Sequence, residues 1–389
     1  MNPKKTTNEV YLGLEQGPIR PPNEARSLLV RVTRNCPWNR CTFCPVYKQE
    51  KFSVRPAEHV IRDIDLIHQN VERVRELVDE SGRVTRSAIE RVSGTIEPNE
   101  WEAFSAAVDW VISGDMRSVF LQDADSLVMK PAELVDVLTH LKTRFPTIRR
   151  ITSYARAKTI ARRKERDLRA VHEAGLDRIH VGLESGSDQV LAVVDKGSTK
   201  AIHLEAGLKV KRVGMELSEY VMPGLGGRDL STVHAVETAD ALNQIGPDFI
   251  RIRTLAIPPR APLYERWQSG DFEKCSDVMV AEELRLFIEK LDGITSVVKS
   301  DHILNLFMEV EGKLPDDKER MLNVLKTFLA MDPTEQRSYQ VGRRLGVFHR
   351  LGDLKNDRKA EIVERTCREL GVTSENVDQI TDQLMMRFV

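Results

Sequence analysis

A chain of 389 residues can bury one large hydrophobic core, alone or with an appendage. Its 58 basic and 59 acidic residues give a net charge of −1, so the overall charge favours neither nucleic acid nor an anionic membrane as a partner. No run of about 18 apolar residues is present and residues 1–8 are polar, so we expect neither a membrane-spanning helix nor a signal peptide. Five sparse cysteines are typical of the cytoplasm, where thiols stay reduced, and we predict that location.

The first part of the chain predicts a lead-in, one strand and a long helical connection. Residues 1–27 contain several glycines and prolines, which is typical of irregular structure. Residues 27–33 are apolar and β-branched and predict a strand. Apolar residues at helical spacing follow Pro56, and a second helical stretch covers residues 99–113. We therefore predict a helical insertion at about residues 56–113 before the next strand.

From residue 117 onward, strands alternate with helices. Strands are predicted at 118–122, 149–154, 178–183, 215–221 and 249–256, with a short additional strand at 295–299. Helices are predicted at 131–144, 159–174, 199–213, 231–245 and 278–291. This α/β alternation indicates a parallel sheet with right-handed crossovers, either closed toward a barrel or open and doubly wound. In both folds the functional groups collect at the carboxyl ends of the strands.

The chain changes character after Lys313, where charged segments with helical periodicity follow one another. Their predicted bounds are 316–331, 334–345, 357–370 and 374–388. We predict three parts: a lead-in at 1–27, an α/β domain at 28–312 and a helical appendage at 313–389.

Three of the five cysteines, Cys36, Cys41 and Cys44, fall within nine positions. Thiolates are soft ligands that select zinc, copper(I) or iron–sulfur clusters, so this crowding predicts a metal centre. The spacing C-x4-C-x2-C is that of a plant-type ferredoxin, whose distant fourth ligand would be Cys275 or Cys367. A four-cysteine zinc site is short of one ligand in this loop. The third alternative is a four-iron cluster with three cysteine ligands and one iron open to a small molecule.

Polar residues gather where the predicted strands end. These segments are Gln122-Asp123-Ala124-Asp125-Ser126, Ser153-Tyr154-Ala155-Arg156, Gly182-Leu183-Glu184-Ser185-Gly186-Ser187, the strand residues Glu216, Ser218 and Glu219, and Ser300-Asp301-His302. Asp and Ser also favour helix caps, which would explain one or two such clusters. Because the carboxyl ends of parallel strands meet at one rim, the whole set predicts an active site there.

Residues from about 25 to 300 resemble the radical S-adenosylmethionine enzymes, most closely those akin to oxygen-independent coproporphyrinogen oxidase and the Elongator catalytic subunit. The resemblance is carried by the cysteine run, by Leu176-Asp177-Arg178-Ile179-His180-Val181-Gly182-Leu183-Glu184-Ser185-Gly186, and by Lys196-Gly197-Ser198-Thr199. It implies a partial (β/α)6 TIM-like barrel with the helical insertion and the helical appendage added to it. It also implies a 4Fe–4S cluster on Cys36, Cys41 and Cys44, with S-adenosylmethionine on the fourth iron.

The resemblance also implies a chemistry and roles for single residues. Reductive cleavage of S-adenosylmethionine would yield a deoxyadenosyl radical that abstracts a hydrogen atom from the substrate. An electron donor such as flavodoxin or ferredoxin would supply the electron. Phe43 matches the aromatic that packs on adenine, and Glu184 and Ser185 match a position near the ribose or methionyl moiety. Lys196 matches a basic residue near the cofactor's carboxylate.

Two features depart from the family's pattern. The family's usual spacing is C-x3-C-x2-C, whereas the first gap here has four residues, which a loop tolerates. The family also has a glycine-rich turn after its second strand, which is replaced here by a turn with two acids. We expect Asp123 or Asp125 to accept hydrogen bonds from the cofactor's ammonium group instead. Arg156 and Glu219 are further cofactor-binding candidates at neighbouring strand ends.

The substrate side is less defined by the sequence. Asp301 and His302 lie outside the family motifs and are predicted as catalytic residues, because histidine exchanges protons near neutral pH. The alternative is an aspartate that caps a helix start. A basic run between Arg149 and Arg166 could indicate RNA, but it is more typical of an exposed helix face, so we expect a small-molecule substrate rather than RNA. Two other functions remain open: an iron–sulfur electron-transfer or scaffold protein with a distant fourth cysteine, and a tRNA-modifying radical enzyme.

Overall fold

A computed structural model describes residues 9–113 and 116–388. The described chain divides into two compact units. The first unit comprises residues 9–37, 49–113, 116–179 and 213–215, and the second comprises residues 38–48, 180–212 and 216–388. The predicted three-part division at residues 28 and 313 stays a prediction.

Ten strands and fifteen α-helices are assigned in the described residues. The strands are β1 Leu28–Arg31, β2 Thr33–Arg34, β3 Ser53–Val54, β4 Ser118–Gln122, β5 Arg150–Tyr154, β6 Arg178–Glu184, β7 Glu216–Val221, β8 Phe249–Ile252, β9 Val297–Lys299 and β10 Gly312–Lys313. The helices are α1 Ala57–Arg75, α2 Arg86–Ser93, α3 Trp101–Ser113, α4 Pro131–Arg144, α5 Ala157–Arg162, α6 Glu165–Glu173, α7 Asp188–Val193, α8 Lys200–Arg212, α9 Gly227–Ile245, α10 Leu263–Ser269, α11 Asp277–Lys290, α12 Lys318–Leu329, α13 Pro333–Arg344, α14 Asp357–Glu369 and α15 Val377–Met385. Short 3-10 helices lie at Pro22–Glu24, Ser126–Val128, Leu351–Lys355 and Met386–Phe388.

In the first unit, β1, β4 and β5 form parallel ladders with β4 between the other two. Most of their residues are buried, and the central ones are largely apolar or β-branched, as is typical of parallel strands covered by helices. Helix α1 buries the stripe that its periodicity predicts, which comprises Val60, Ile64, Ile67, Val71 and Val74. It packs against α3 and α4.

The second unit continues the alternation with the strand order β6, β7, β8, β9, β10. Strands β7, β8 and β9 are parallel, and β10 runs antiparallel to β9. Its core joins apolar residues of β8, α9 and α11 to those of the C-terminal helices. The rings of Phe307, Phe328, Tyr339 and Phe348 pack on one another, with centroids 5.0 to 6.3 Å apart. The C-terminal helices thus share one hydrophobic core with the α/β part of this unit.

The fold is α/β with a mostly parallel sheet, which confirms the predicted fold class. The periodicity did not predict helices α2, α7 and α10, which are short. The helix predicted at 159–174 is two helices, because Arg163 and Lys164 take extended ψ values of 142°. Within the described residues, none of the helices has the length and apolar character needed to cross a membrane.

Candidate cofactor site

The cysteine loop follows β2 and carries three partly exposed cysteines, Cys36, Cys41 and Cys44, which form no disulfide. Across the described residues, no three Cys, His, Asp or Glu side chains converge on a point where one metal ion could bind. A four-iron cluster does not require such convergence, because each of its three thiolates binds a different iron. Three partly exposed, soft thiol ligands in one short loop fit an iron–sulfur cluster better than a single-ion site.

Two asparagines give the loop its shape. Asn35 and Asn39 adopt left-handed backbone conformations, with φ of 65° and 48°, which asparagine tolerates better than most residues. The side-chain amide of Asn35 donates to the carbonyl of Lys51 at 2.6 Å, and that of Asn39 donates to the carbonyl of Tyr47. These bonds fix the chain on both sides of Cys36.

The second half of the loop is docked on the segment that follows α7. The Thr42 N–H donates to the Val194 carbonyl at 2.9 Å, and the Trp38 indole N–H donates to the Asp195 carbonyl at 2.7 Å. Gly197 has φ of +68°, and a Cβ on it would lie 2.3 Å from the Trp38 ring, so only glycine fits. Gly197 belongs to the segment Lys196-Gly197-Ser198-Thr199, one of those that carry the resemblance noted in the sequence.

Lys196 contacts two of the other residues that the sequence predicts at the site, Glu184 and Phe43. Its ammonium group donates to the Glu184 carboxylate at 2.9 Å and lies 5.7 Å from the centroid of the Phe43 ring. Glu184 ends β6 with φ of +62°, a left-handed conformation that is costly for a residue with a Cβ. A Cβ on Gly182 would lie 2.2 Å from the Glu184 carboxylate oxygen, so this glycine makes room for the ion pair.

Glu219, on the adjacent strand β7, is fully buried beside this pair. Neither of its carboxylate oxygens makes a hydrogen bond of normal geometry to a described residue. Burial raises the pKa of Glu219 well above its ordinary value; Lys196 opposes this shift, Glu184 adds to it, and the Leu183 backbone N–H opposes it more weakly. The raised pKa favours the neutral carboxylic acid form of Glu219, which can donate one hydrogen bond and accept others.

A neutral buried Glu219 predicts a pH-dependent cost in stability for the protein without cofactor. The folded chain binds the Glu219 proton more tightly than the unfolded chain, so the free energy of unfolding falls as the pH rises above the ordinary pKa of 4.5. Glu219→Gln removes this term, so we expect it to be more stable than the wild type at pH 8 and no more stable at pH 4. Urea titrations at both pH values measure this difference.

The matched control for that prediction is Glu216→Gln, on the same strand but exposed. It should leave the pH dependence of stability unchanged. If Glu219→Gln gains no stability at high pH relative to low pH, the carboxyl of Glu219 is not held neutral.

Ser185 is fully buried, and its hydroxyl group lies 2.8 Å from Nδ1 of His234 on α9. Nε2 of His234 lies 3.0 Å from the Met222 carbonyl, which can only accept, so Nε2 carries the proton and Nδ1 accepts from Ser185. The Gly186 N–H donates to the Thr238 hydroxyl at 2.9 Å. Ser185 thus anchors the turn after Glu184 to α9, and its hydroxyl is already engaged.

His234 is a residue that the sequence analysis missed. It lies in the middle of a helix with no motif around it, so only its three-dimensional neighbours reveal its role. Glu283, on α11, lies 3.6 Å from Nε2 of His234 and accepts from the Gly224 N–H at 2.7 Å. Burial raises the pKa of Glu283, opposed by His234. His234 and Glu283 together hold the segments that follow β6 and β7 in place.

The two acids of the turn after β4 already have partners within the protein, and their predicted contact with the cofactor's ammonium group stays a prediction. Asp123 is fully buried, and one carboxylate oxygen accepts from Arg31 at 2.6 Å and from the Asn35 N–H at 3.3 Å. A Cβ on Gly17 would lie 2.0 Å from the other oxygen, so the lead-in covers this carboxylate. Gln122 holds the lead-in there by accepting from the Gly17 N–H at 2.9 Å.

Asp125, the second acid of that turn, is fully buried and accepts from the Thr159 hydroxyl at 2.6 Å. Burial raises the pKa of Asp125 to about 7, opposed by Thr159, by the Arg156 backbone N–H, and by the guanidinium groups of Arg156 and Arg163. Arg156 is half-buried at the start of α5. Arg156 therefore acts on Asp125, whose charged form it stabilises.

Asp301 and His302 follow β9 in a loop, and no helix begins at Asp301. Asp301 accepts from Arg251 on β8 at 2.8 Å. Nδ1 of His302 accepts from the Leu304 N–H at 3.2 Å. Burial lowers the pKa of His302 to about 4, with a further decrease from Arg253 that Asp301 opposes. This lowered pKa favours neutral His302 near pH 7, and the catalytic role of Asp301 and His302 stays a prediction.

The geometry thus brings Phe43, Glu184, Lys196 and Glu219 into one cluster in the second unit, which we call the Lys196 cluster. Ser185 supports it from behind through His234. Gly182 belongs to this cluster and was not predicted, although a glycine inside a strand is a signal of close approach.

Comparison with known proteins assigns the family. The model of the Radical SAM superfamily matches residues 30–239, more than half of the chain. The chain belongs to the radical SAM superfamily and is an enzyme. The cofactors of this superfamily are a 4Fe–4S cluster and S-adenosylmethionine.

Two curated relatives are similar over part of their length. The tRNA uridine(34) acetyltransferase of Methanocaldococcus infernus is 20% identical over 249 residues, which cover 61% of this chain and 44% of the relative. That of Methanocaldococcus jannaschii is 21% identical over 254 residues, which cover 61% and 43%. The chain therefore spans less than half the length of these relatives. Among solved structures, coproporphyrinogen III oxidase from Escherichia coli is similar at 12% identity with a TM-score of 0.45, over 68% of this chain and 52% of that one.

Proposed function

We propose that Cys36, Cys41 and Cys44 hold a 4Fe–4S cluster and that the Lys196 cluster binds S-adenosylmethionine. When bound, these cofactors supply reductive cleavage of S-adenosylmethionine to methionine and a 5′-deoxyadenosyl radical that takes a hydrogen atom from the substrate. The observation that carries the proposal is the docking of the thiol-bearing loop on residues 194–197, which places Lys196 next to Phe43.

The donor set of the Lys196 cluster suits a ligand with both charged and hydroxyl groups. Lys196 offers an ammonium donor to a carboxylate, and Glu184 offers a carboxylate acceptor to hydroxyl or ammonium groups. The neutral Glu219 would gain hydrogen bonds that no described residue gives it in normal geometry. Phe43 presents an apolar ring on which an aromatic base can stack. Together these groups would orient the ligand and keep water from the reactive carbon.

The alternative of a ferredoxin-like cluster needs a fourth cysteine. Cys275 is buried, and burial raises the pKa of its thiol to about 12, with Glu283 adding to the shift. Burial also raises the pKa of Cys367. Both thiols are therefore poor sources of the thiolate that binds iron. This favours three protein ligands and one open iron.

We expect the double variant Cys275→Ala, Cys367→Ala to bind about four irons per chain, like the wild type, because the cluster needs only the three loop cysteines. It should also form deoxyadenosine when S-adenosylmethionine and dithionite are added under anaerobic conditions. Iron analysis and chromatography of the nucleoside measure both. Cys44→Ala serves as the control that loses the cluster. Loss of iron in the double variant would favour the electron-transfer alternative and refute our proposal.

The relatives bear on the substrate. Their names state that they act on tRNA, and nothing comparable supports the expected preference for a small molecule. We therefore propose RNA as a candidate substrate class beside a small molecule. The sequence analysis had ranked RNA below a small molecule. Acetyl transfer does not follow, because the similarity covers less than half of the relatives' length. An electron donor such as flavodoxin or ferredoxin remains the proposed source of the electron.

A further inference from the structure

The strongest local charge in the first unit lies between residues 156 and 169. This segment contains seven basic residues and two acidic ones, a net charge of +5 in a chain whose total is −1. Arg162, Lys164 and Arg166 are exposed. Arg166 has a carboxylate neighbour, Asp167, at 3.7 Å, whereas Arg162 and Lys164 form no ion pair within the described parts of the chain.

Arg163, a further basic residue of this segment, explains why the side chains next to it point outward. Its guanidinium group donates to the carbonyls of Leu127, Val128 and Met129 at 2.5 to 3.0 Å. Those carbonyls end the 3-10 helix that follows β4. Because Arg163 is directed inward, the side chains of residues 162 and 164 on either side of it are directed away from the core and into solvent.

The two acidic residues of the segment are explained by their position at the start of α6. The segment keeps its net positive charge in spite of them. Glu165 and Asp167 lie in the first turn of α6, where acidic side chains are favoured by the helix dipole. The segment is also held at the carboxyl end of β4, because Thr159 donates to Asp125 in the turn after that strand. The basic surface is therefore fixed on the rim of the first unit where strand-end residues collect.

We propose that this basic surface, defined by Arg162, Lys164 and Arg166, docks the phosphate backbone of an RNA substrate. The inference rests on the proposed function, whose substrate class it specifies. Arginine guanidinium groups match phosphate in a planar, two-pronged geometry, and clustered cations release counterions from a nucleic acid on binding. Arg162 and Lys164 form no ion pair among the described residues, so both can contact phosphate without breaking one.

The test compares two triple alanine variants of the full chain with its cofactors. The first replaces Arg162, Lys164 and Arg166; the matched control replaces Arg83, Arg86 and Arg91, which are also exposed and also lie in the first unit. In the control set Arg86 pairs with Glu90, as Arg166 pairs with Asp167, so both sets remove one partnered arginine. Fluorescence anisotropy with a labelled, unmodified tRNA transcript gives the dissociation constant at salt concentrations from about 50 to 200 mM.

We expect the first variant to bind the tRNA about tenfold more weakly, with a salt dependence reduced by roughly two in slope, and the control to bind like the wild type. Deoxyadenosine formation with dithionite should stay at the wild-type level in both, because these residues lie outside the Lys196 cluster. Unchanged affinity in the first variant, or equal losses in both, would overturn the inference while leaving the proposed function intact. If neither variant forms deoxyadenosine and the wild type also fails, the proposed function fails instead.

One outcome would assign the surface to a different partner. An acidic electron donor would also be attracted by these cations. If the first variant binds tRNA normally but forms less deoxyadenosine with reduced flavodoxin than with dithionite, the surface docks the donor protein. That result would overturn the RNA inference.

Discussion

Replacing Lys196 by methionine is expected to leave the iron content of the protein unchanged while weakening S-adenosylmethionine binding by about 10- to 150-fold. The methionine keeps the length and apolar stem of the side chain but removes the ammonium group. The loss corresponds to one charge-assisted hydrogen bond to the ligand's carboxylate, about 1.5–3 kcal/mol. Glu184 also loses its partner at 2.9 Å, and its unpaired charge raises the cost of keeping Glu219 beside it.

Calorimetric titration of the cluster-loaded protein with S-adenosylmethionine measures this effect. Lys200→Met is the matched control, because Lys200 lies four residues away and pairs at 2.6 Å with Asp240, a half-exposed carboxylate. The control should bind the cofactor like the wild type. If Lys196→Met binds S-adenosylmethionine normally, Lys196 serves only to hold Glu184 and Phe43. If it instead loses iron, its contact with Phe43 supports the cysteine loop rather than the ligand.

The parts of this site that the sequence could predict are those that belong to local patterns. The cysteines, the end of β6 and the Lys-Gly pair each lie in a short motif, and strand ends follow from the alternation of elements. Gly182 could also have been predicted from the sequence, because a glycine inside an apolar strand indicates close approach of another group. The alternation also predicted β1 and β4 to β9 of the sheet to within a few residues, whereas the short strand β10 was not predicted.

Other parts depend on neighbours that are distant in the chain. In the sequence, Asp123 has the position of a cofactor ligand at a strand end. In the structure its carboxylate accepts a hydrogen bond from Arg31, which is 92 residues away in the chain. The low pKa of His302 follows from burial and from Arg253, 49 positions earlier, neither of which a local pattern contains. His234 supports Ser185 across 49 residues. Partners of this kind become visible only when the strands and helices are assembled.

The break between α5 and α6 shows how one long-range contact changes a local prediction. The residues from 159 to 174 have helical periodicity throughout, and propensity alone favours one helix. The guanidinium group of Arg163 instead donates hydrogen bonds to three carbonyls of the turn at 127–129. The backbone at Arg163 is extended, which allows these bonds to form. The same contact directs the neighbouring basic side chains outward, so a single inward-facing guanidinium decides both features.

The second large effect is expected at Arg344, on the C-terminal helix α13. Its side chain is only 2% exposed, and its guanidinium donates to the Asp277 carboxylate and to the Leu304 carbonyl, both at 2.6 Å. Arg344→Met should lower the free energy of unfolding by about 3–5 kcal/mol, because it leaves a buried, uncompensated carboxylate. The neighbouring Arg343 holds the Asn305 and Leu306 carbonyls, so the two arginines fix the loop that carries His302.

Urea unfolding of Arg344→Met, of the double variant Arg344→Met, Asp277→Asn, and of Arg337→Met tests this account. Arg337 lies on the same helix, but its bond to the Thr334 hydroxyl is exposed, so its replacement should cost less than about 0.5 kcal/mol. The double variant should be more stable than Arg344→Met alone, because a neutral amide costs less to bury than an unpaired charge. A double variant that is less stable than the single one would show that the Asp277 charge is not what Arg344 compensates. In that case the stabilising contact of Arg344 would be the one to the Leu304 carbonyl, and the C-terminal helices would be tied to the loop through its backbone alone.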